Sequence, residues 1–293
     1  MAQSNRLDVA FAARATLGEG PVWDAARKCL WFVDIKQKLL HRFDPATDEH
    51  AAWHAPEQIG WVLPAEDGRL VAGLKGGLYL FDPYRGMFEF FRAVPGEPGH
   101  NRLNDACTDP AGRIWFGSMD DDEQRPTGRF YRFDRGDIVP VGPDGICITN
   151  GPAISPDGDR IYFTDTLAQT IVTASIDAQG NVGATQPFLH IASDGGHPDG
   201  PITDAERCVW TGLFGGGAVE RYSPDGKRID RIEIPAANCT KAAFGGPHLS
   251  TLYITTARKG LDEAALAAQP DAGALFTIET TIKGVAATPV KLG

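Results

Sequence analysis

Six times along this chain a tight polar turn hands over to a short, aromatic-rich strand. The turns Asp24–Arg27, Asp67-Gly68, Asp109–Gly112, Ser155–Gly158, Asp204–Glu206 and Gly246–His248 precede, in order, Leu30–Val33, Leu70–Ala72, Ile114–Phe116, Ile161–Phe163, Val209-Trp210 and Leu252–Ile254. The spacing is roughly 40–48 residues, the period of propeller blades. Each unit has the same inner grammar: a first strand such as Leu103–Thr108, the turn, the aromatic strand, and a third strand that often closes on Asp, as in Leu39–Asp44, Leu78–Asp82 and Phe130–Asp134. A more polar fourth strand follows, as in Phe88–Phe91, Phe188–Ile191 and Arg228–Ile234. The first three are almost continuously apolar, so neighbours must cover both faces; the fourth alternates, so one of its faces meets water. Four strands repeated six times predict an all-β, six-bladed β-propeller of four-stranded antiparallel blades.

The last unit has no obvious outer strand after Thr281, and the segment Asp8–Phe11 is predicted to supply it and close the ring. Glu263–Gln269 is the one stretch with helical character, a surface excursion between the second and third strands of that unit. No linker or low-complexity stretch interrupts the 293 residues, and all-β folds reach this length undivided, so residues 1–293 read as a single domain. The Gly-His and Trp-Asp signature of the WD propeller is missing; Trp23-Asp24 occurs once, at a turn.

Composition narrows the partners. The net charge is -10, spread along the chain, and no Lys/Arg run offers a face to nucleic acid. The five cysteines include no CxxC pair, which suits a reducing compartment. No apolar run approaches a membrane span and the first residues lack an apolar signal core, so a cytoplasmic monomer is expected, with no nucleic acid or membrane partner.

Equivalent positions of a radial repeat converge on its axis. About five residues upstream of the turns stand Glu19, Gly60, Asn104, Asn150, Asp199 and Lys241. Three of these open the same tripeptide: Glu19-Gly20-Pro21, Asn150-Gly151-Pro152 and Asp199-Gly200-Pro201. Glycine lets backbones crowd around a ligand. Two carboxylates and an amide carbonyl are hard oxygen donors, suited to one divalent ion such as Ca²⁺, Mg²⁺, Mn²⁺ or Fe²⁺, with Zn²⁺ also compatible. Three protein ligands leave positions open, as catalytic sites do. A single Asp-Gly or Asn-Gly is ordinarily a turn, but three at matched repeat positions argue for a site.

Arg102 and Asn104 flank Leu103 and project to one side of their strand, where a guanidinium fork and an amide would meet a polyhydroxylated ligand. One member of Asp120-Asp121-Asp122 is expected to turn inward. Lys241 is an axial cation or an outward one, its register open by one residue. His197 either orients Asp199 or is a loop histidine. The chain has no G-x-S-x-G, no H-E-x-x-H and no Cys/His zinc spacing, and Gly215–Gly217 opens no helix that would cradle phosphate.

The strings Leu17–Asp24, Leu30–Ile35, Arg102–Asp105, Asp109–Met119, Asn150-Gly151 with Ser155–Gly158, Pro198–Gly200 and Phe244–Pro247 resemble the regucalcin/gluconolactonase (senescence-marker-protein) family over nearly the whole chain. The resemblance implies a six-bladed propeller that hydrolyses sugar lactones at one divalent metal. It places the metal ligands on Glu19, Asn150 and Asp199, the sugar contacts on Arg102 and Asn104, and an acidic substrate contact on Asp121 or Asp122, of which Asp122 is assigned; many members carry Glu there. Likeness to bacterial pentose-pathway members points to a pentonolactone such as xylonolactone. Asp199 is then also the catalytic group that moves the proton between water and the leaving ring oxygen. Two alternatives stand beside this reading: an organophosphate or aryl-ester hydrolase on the same kind of propeller, and a calcium-binding regulatory protein without turnover.

Overall fold

The recurring turn aspartate and the tryptophan of the next strand are bonded to each other. In the computed structural model, which describes residues 6–293, the indole Nε1 of Trp115 donates to Asp109 at 2.9 Å and that of Trp210 donates to Asp204 at 2.9 Å. Trp31 donates to Asp24 at 3.3 Å. An arginine completes each cluster: Arg27 on Asp24, Arg113 on Asp109, Arg221 on Asp204. The three tryptophans are essentially inaccessible to water. A buried indole needs an acceptor for its N–H, and the turn carboxylate supplies it while also capping turn amides such as Ala111 N and Arg113 N. This is why the polar turn and the aromatic strand travel together in the sequence.

Six four-stranded antiparallel sheets result, as predicted. Their innermost strands are Gly18–Asp24, Ile59–Pro64, Asn101–Thr108, Thr149–Ile154, His197–Thr203 and Cys239–Gly245, in blades 1 to 6. In blade 6 the order is Cys239–Gly245, Thr251–Thr256, Leu275–Glu279, then Leu7–Phe11. The early segment does close the ring, with Leu7 opposite Ile278 and Val9 opposite Phe276. The short helix Glu263–Ala268 lies where expected, capped by Asp262, which accepts from Ala265 N at 2.8 Å. No helix among the described residues is long and apolar enough to cross a membrane.

Two features position the site. Every inner strand slips register by a bulge near its start: between Glu19 and Val22, Ile59 and Trp61, Leu103 and Ala106, Asn150 and Ala153, Asp199 and Ile202, and Cys239 and Ala242. A bulge bends the strand and re-aims side chains. The second feature is the segment beyond Glu279, which crosses the face that carries the turns. Ala205 N donates to Lys283 O, Gly284 N to Leu249 O, Val290 N to Pro64 O and Lys291 N to Gly112 O. It therefore ties blades 5 and 6 to blades 2 and 3 and covers one mouth of the central channel.

Candidate active site

The other mouth, at the starts of the inner strands, opens into a cavity of about 230 Å³. Glu19, Arg102, Asn104, Asn150, His197 and Asp199 all line it. Five of the six are buried; His197 is partly exposed. Gly20, Gly151 and Gly200 follow the three ligand candidates with φ of 54°, 76° and 39°, a region in which only glycine is comfortable. They are bulge residues, and each packs tightly on the next blade. A Cβ on Gly20 would stand 2.9 Å from Gly60 O, and one on Gly151 would stand 2.8 Å from Pro201 Cγ. The Gly-Pro repeat is thus the local device that turns Glu19, Asn150 and Asp199 toward the axis.

Each candidate is held differently. Asn150 Nδ2 donates to Thr166 Oγ1 at 2.9 Å, and Thr166 Oγ1 in turn donates to Pro198 O at 3.0 Å, so the amide oxygen of Asn150 is the atom left facing the cavity. Glu19 Oε2 accepts from Gly20 N at 2.8 Å. Asp199 has its backbone fixed by Thr211 Oγ1, which donates to Asp199 O at 2.7 Å, yet its Oδ1 is buried with no hydrogen-bond partner. Burial, reinforced by the Asp105 charge, pushes the Glu19 carboxyl up to about 8. Burial and then the Glu19 and Asp105 charges push Asp199 well above the ordinary carboxylate range. Neighbouring buried carboxyls disfavour one another's ionisation. An unpartnered carboxylate oxygen beside a second carboxylate and an amide oxygen is the donor chemistry of a hard cation.

Arg102 Nη1 donates to Asn104 Oδ1 at 2.5 Å, and Asn104 Nδ2 donates to Thr149 O at 2.6 Å and to Asn150 Oδ1 at 3.1 Å. The amide of Asn104 is therefore largely engaged by its neighbours. Arg102 Nε has no hydrogen-bond acceptor and lies 3.4 Å from Asp121 Oδ1. Asp121 is the member of the acidic run that reaches Arg102, while Asp120 is fully buried and accepts from Gln124 N and Arg125 N. Burial works against the Asp121 charge, but hydrogen bonds from Lys36 and Lys75 outweigh it and hold the carboxyl well below the usual range. Gln58 Nε2 donates to Asp121 as well, at 2.7 Å.

One expectation needs correction, and two open alternatives are decided. Asp122 is exposed and does not line the cavity; Glu123 does, because its left-handed backbone, φ 59°, turns it back over the mouth, where it pairs with Lys259. His197 does not orient Asp199; its Nδ1 meets Thr166 O at 3.0 Å. Lys241 is one position out of step. Gly245 faces Thr251 as Asp24 faces Cys29, so Thr240 matches Glu19 and Lys241 matches Gly20. Lys241 is nonetheless axial, buried, and paired with Asp105. Blade 2 contributes Gly60, whose missing Cβ admits the Asn104 carbonyl of blade 3; a Cβ there would stand 2.7 Å from that oxygen. Sequence reasoning missed Asp105, Thr166, Glu123 and Lys259. Only Asp105 carried a signal, since it stands where three other blades have glycine.

Residues 17–258 match the family described as SMP-30/Gluconolactonase/LRE-like region. The chain belongs to this family. Among SMP-30/gluconolactonase relatives, it is 34% identical to a 6-deoxy-6-sulfogluconolactonase of Pseudomonas putida over 93% of this chain and 94% of the relative. It is 35% identical to a pentonolactonase of Haloferax volcanii over 92% of each. The crystal structure of a calcium-binding protein, regucalcin, from Agrobacterium tumefaciens superposes with a TM-score of 0.94 at 30% identity, over 99% of this chain and 98% of that one.

Proposed function

We propose that this protein hydrolyses a sugar lactone, a pentonolactone such as xylonolactone, with one divalent cation held by Glu19, Asn150 and Asp199. The observation that carries the reading is the convergence of these three side chains in one buried cavity, with Asp199 Oδ1 left unpartnered. Relatives named for sulfogluconolactone and pentonolactone hydrolysis support the substrate class. The donor set fits a hard ion such as Ca²⁺, Mg²⁺, Mn²⁺ or Fe²⁺, and the absence of a thiolate or imidazole from it makes Zn²⁺ the poorest match.

When bound, such an ion supplies Lewis-acid polarisation of the ester carbonyl. The chain supplies the rest. The Asp199 carboxylate takes a proton from the attacking water and returns it to the ring oxygen as the carbon–oxygen bond opens. The Arg102 guanidinium, which lines the cavity and is fixed by Asn104 and Asp121, holds a hydroxyl or ring oxygen of the substrate. Glu123 and Lys259 stand at the mouth and meet the outer hydroxyls, the role first assigned to Asp122. The cavity has room for a single sugar ring, and Glu19, Arg102, Asn150 and Asp199, gathered on its wall, offer partners to a lactone's hydroxyls.

The test starts from protein purified without chelator. Metal content is measured, apoprotein is prepared, and each ion is added back in a pH-stat assay of xylonolactone, arabinonolactone and gluconolactone beside a phosphotriester. Expected are metal-dependent hydrolysis of the lactones, pentonolactones fastest, and no phosphotriester turnover. Full activity in the apoprotein would refute the metal's role; tight calcium binding with a flat trace on every lactone would favour the regulatory protein.

A further inference from the structure

Directly below Glu19, Asn150 and Asp199 the six inner strands present Gly20, Trp61, Asp105, Gly151, Gly200 and Lys241. Three of these have no side chain. Asp105 and Lys241 come from blades 3 and 6, which face each other across a ring of six, and they meet in an ion pair over the axis. Lys241 is the only lysine fully buried among the described residues. The pair separates the lactone cavity from a second cavity of about 150 Å³ at the opposite mouth, which Lys241 and Gly20 also line.

Both partners grip the backbone next to a ligand residue. Asp105 Oδ2 accepts from Gly151 N at 2.9 Å, immediately after Asn150. The stem of Lys241 lies on Gly200, immediately after Asp199, so closely that a Cβ there would stand 2.6 Å from Lys241 Cγ. Lys241 Nζ also donates to Ala106 O at 3.3 Å, and Asp105 Oδ1 accepts from Ala106 N at 2.7 Å, so the pair is anchored at the blade 3 end.

The charges around the axis are informative. Glu19, Asp105 and Asp199 are carboxylates and Lys241 an ammonium, all buried. Arg102 is answered by Asp121, and Glu123 by Lys259. Lys36 and Lys75, the other cations on Asp121, keep 27% and 30% side-chain exposure and are screened by water. When a cation ionises the two ligand carboxyls, three buried carboxylates face one buried ammonium, with the buried Arg102 guanidinium beside them, so the axis is net acidic.

We infer that Lys241 and Asp105 form a crossbar under the cavity that positions Asn150 and Asp199 and balances the axial charge, which favours a divalent cation over a trivalent one. This rests on the proposed metal site and adds a positioning pair to it. Removing Lys241 alone makes the axis one charge more negative. Removing the Asp105 charge alone makes it one charge less negative. Removing both restores the original balance.

The experiment is calorimetric titration of apoprotein at pH 8 with Ca²⁺ and with La³⁺, on wild type, Lys241→Met, Asp105→Asn and the double variant, each shown to be folded by its melt. The ratio of La³⁺ to Ca²⁺ affinity should rise at least about tenfold in Lys241→Met, fall by a similar factor in Asp105→Asn, and return to within about threefold of wild type in the double variant. A role in packing alone would change melting temperatures without ordering these ratios by charge. If Lys241→Met does not fold, the Asp105→Asn and double variants still decide the question. Equal ratios in the folded variants overturn the crossbar and leave the lactonase reading intact. A wild type that binds neither ion overturns both.

Discussion

The two mouths of the channel are made by the same six inner strands, yet they present different side chains. At the strand starts Glu19, Arg102, Asn104, Asn150 and Asp199 gather among Leu17, Met119, Ile148 and Phe214. At the strand ends stand Trp23, Trp61, Leu63 and Phe244, with the chain's own residues 285–288 laid across. The bulge explains the contrast. Before it, side chains turn to the axis and must be small or polar to share that space. After it, the strands enter the apolar packing between blades. The clustered carboxylates and amides therefore lie at one end of the ring and the crossing segment at the other.

The sharpest way to break this contrast is to disable the open end alone. Asp199→Asn should lower kcat on the preferred lactone by about a thousandfold, within the range for a lost general base, while leaving the melting temperature of the metal-free protein unchanged or raised, because a buried carboxyl that is costly to ionise is removed. Near wild-type turnover would end its catalytic role.

The open end and the outer seam should also respond to pH with opposite signs. Glu19 has a folded pKa of about 8, above its unfolded value. Metal-free protein should be stabilised by this group at low pH and lose that stability as pH rises from about 4.5 through 8, with added divalent ion abolishing the loss. His41 is the reverse. Burial, helped by His50, lowers it to about 4, and its Nδ1 meets His50 Nε2 at 2.9 Å while Phe11 of the closing strand stacks on His50. The unfolded chain takes up that proton first, so stability should hold above about 6.5 and fall on the order of 3 kcal/mol toward pH 4. His41→Phe should flatten the acid limb in urea titrations and leave the alkaline limb unchanged.

At the closed end, Val290 is fully buried and its backbone bonds Pro64 and Glu66. Val290→Ala should cost about 2 kcal/mol in urea unfolding without altering kcat at a temperature where the protein is folded. The smallest effect sharpens substrate binding: Arg102→Ala should raise KM about tenfold or more with a lesser change in kcat, if the guanidinium binds ground and transition states alike.

Much of this was legible before any coordinates. Asp109 and Trp115, or Asp204 and Trp210, are coupled by a hydrogen bond, so each blade wrote its turn and its strand into the sequence together. Glu19, Asn150 and Asp199 were legible because the bulge demands glycine next to them. Lys241 was misregistered because Gly245-Gly246 offers two candidate turn starts. Asp122 was preferred to Asp121, and Glu123 went unread, because nothing in an acidic run foretells which residue adopts a left-handed backbone. The segment after Glu279 left no periodic trace, since it is held by isolated bonds to four blades rather than by a strand ladder.

The pairing of Leu7 with Ile278 has a consequence for biosynthesis. Among the described strands, the one that leaves the ribosome first waits longest for its partner, and until blade 6 is translated it remains a bare edge open to wrong associations. Circular closure is thus a late event, and a nascent chain stalled before residue 275 would carry five folded or folding blades and one orphan strand.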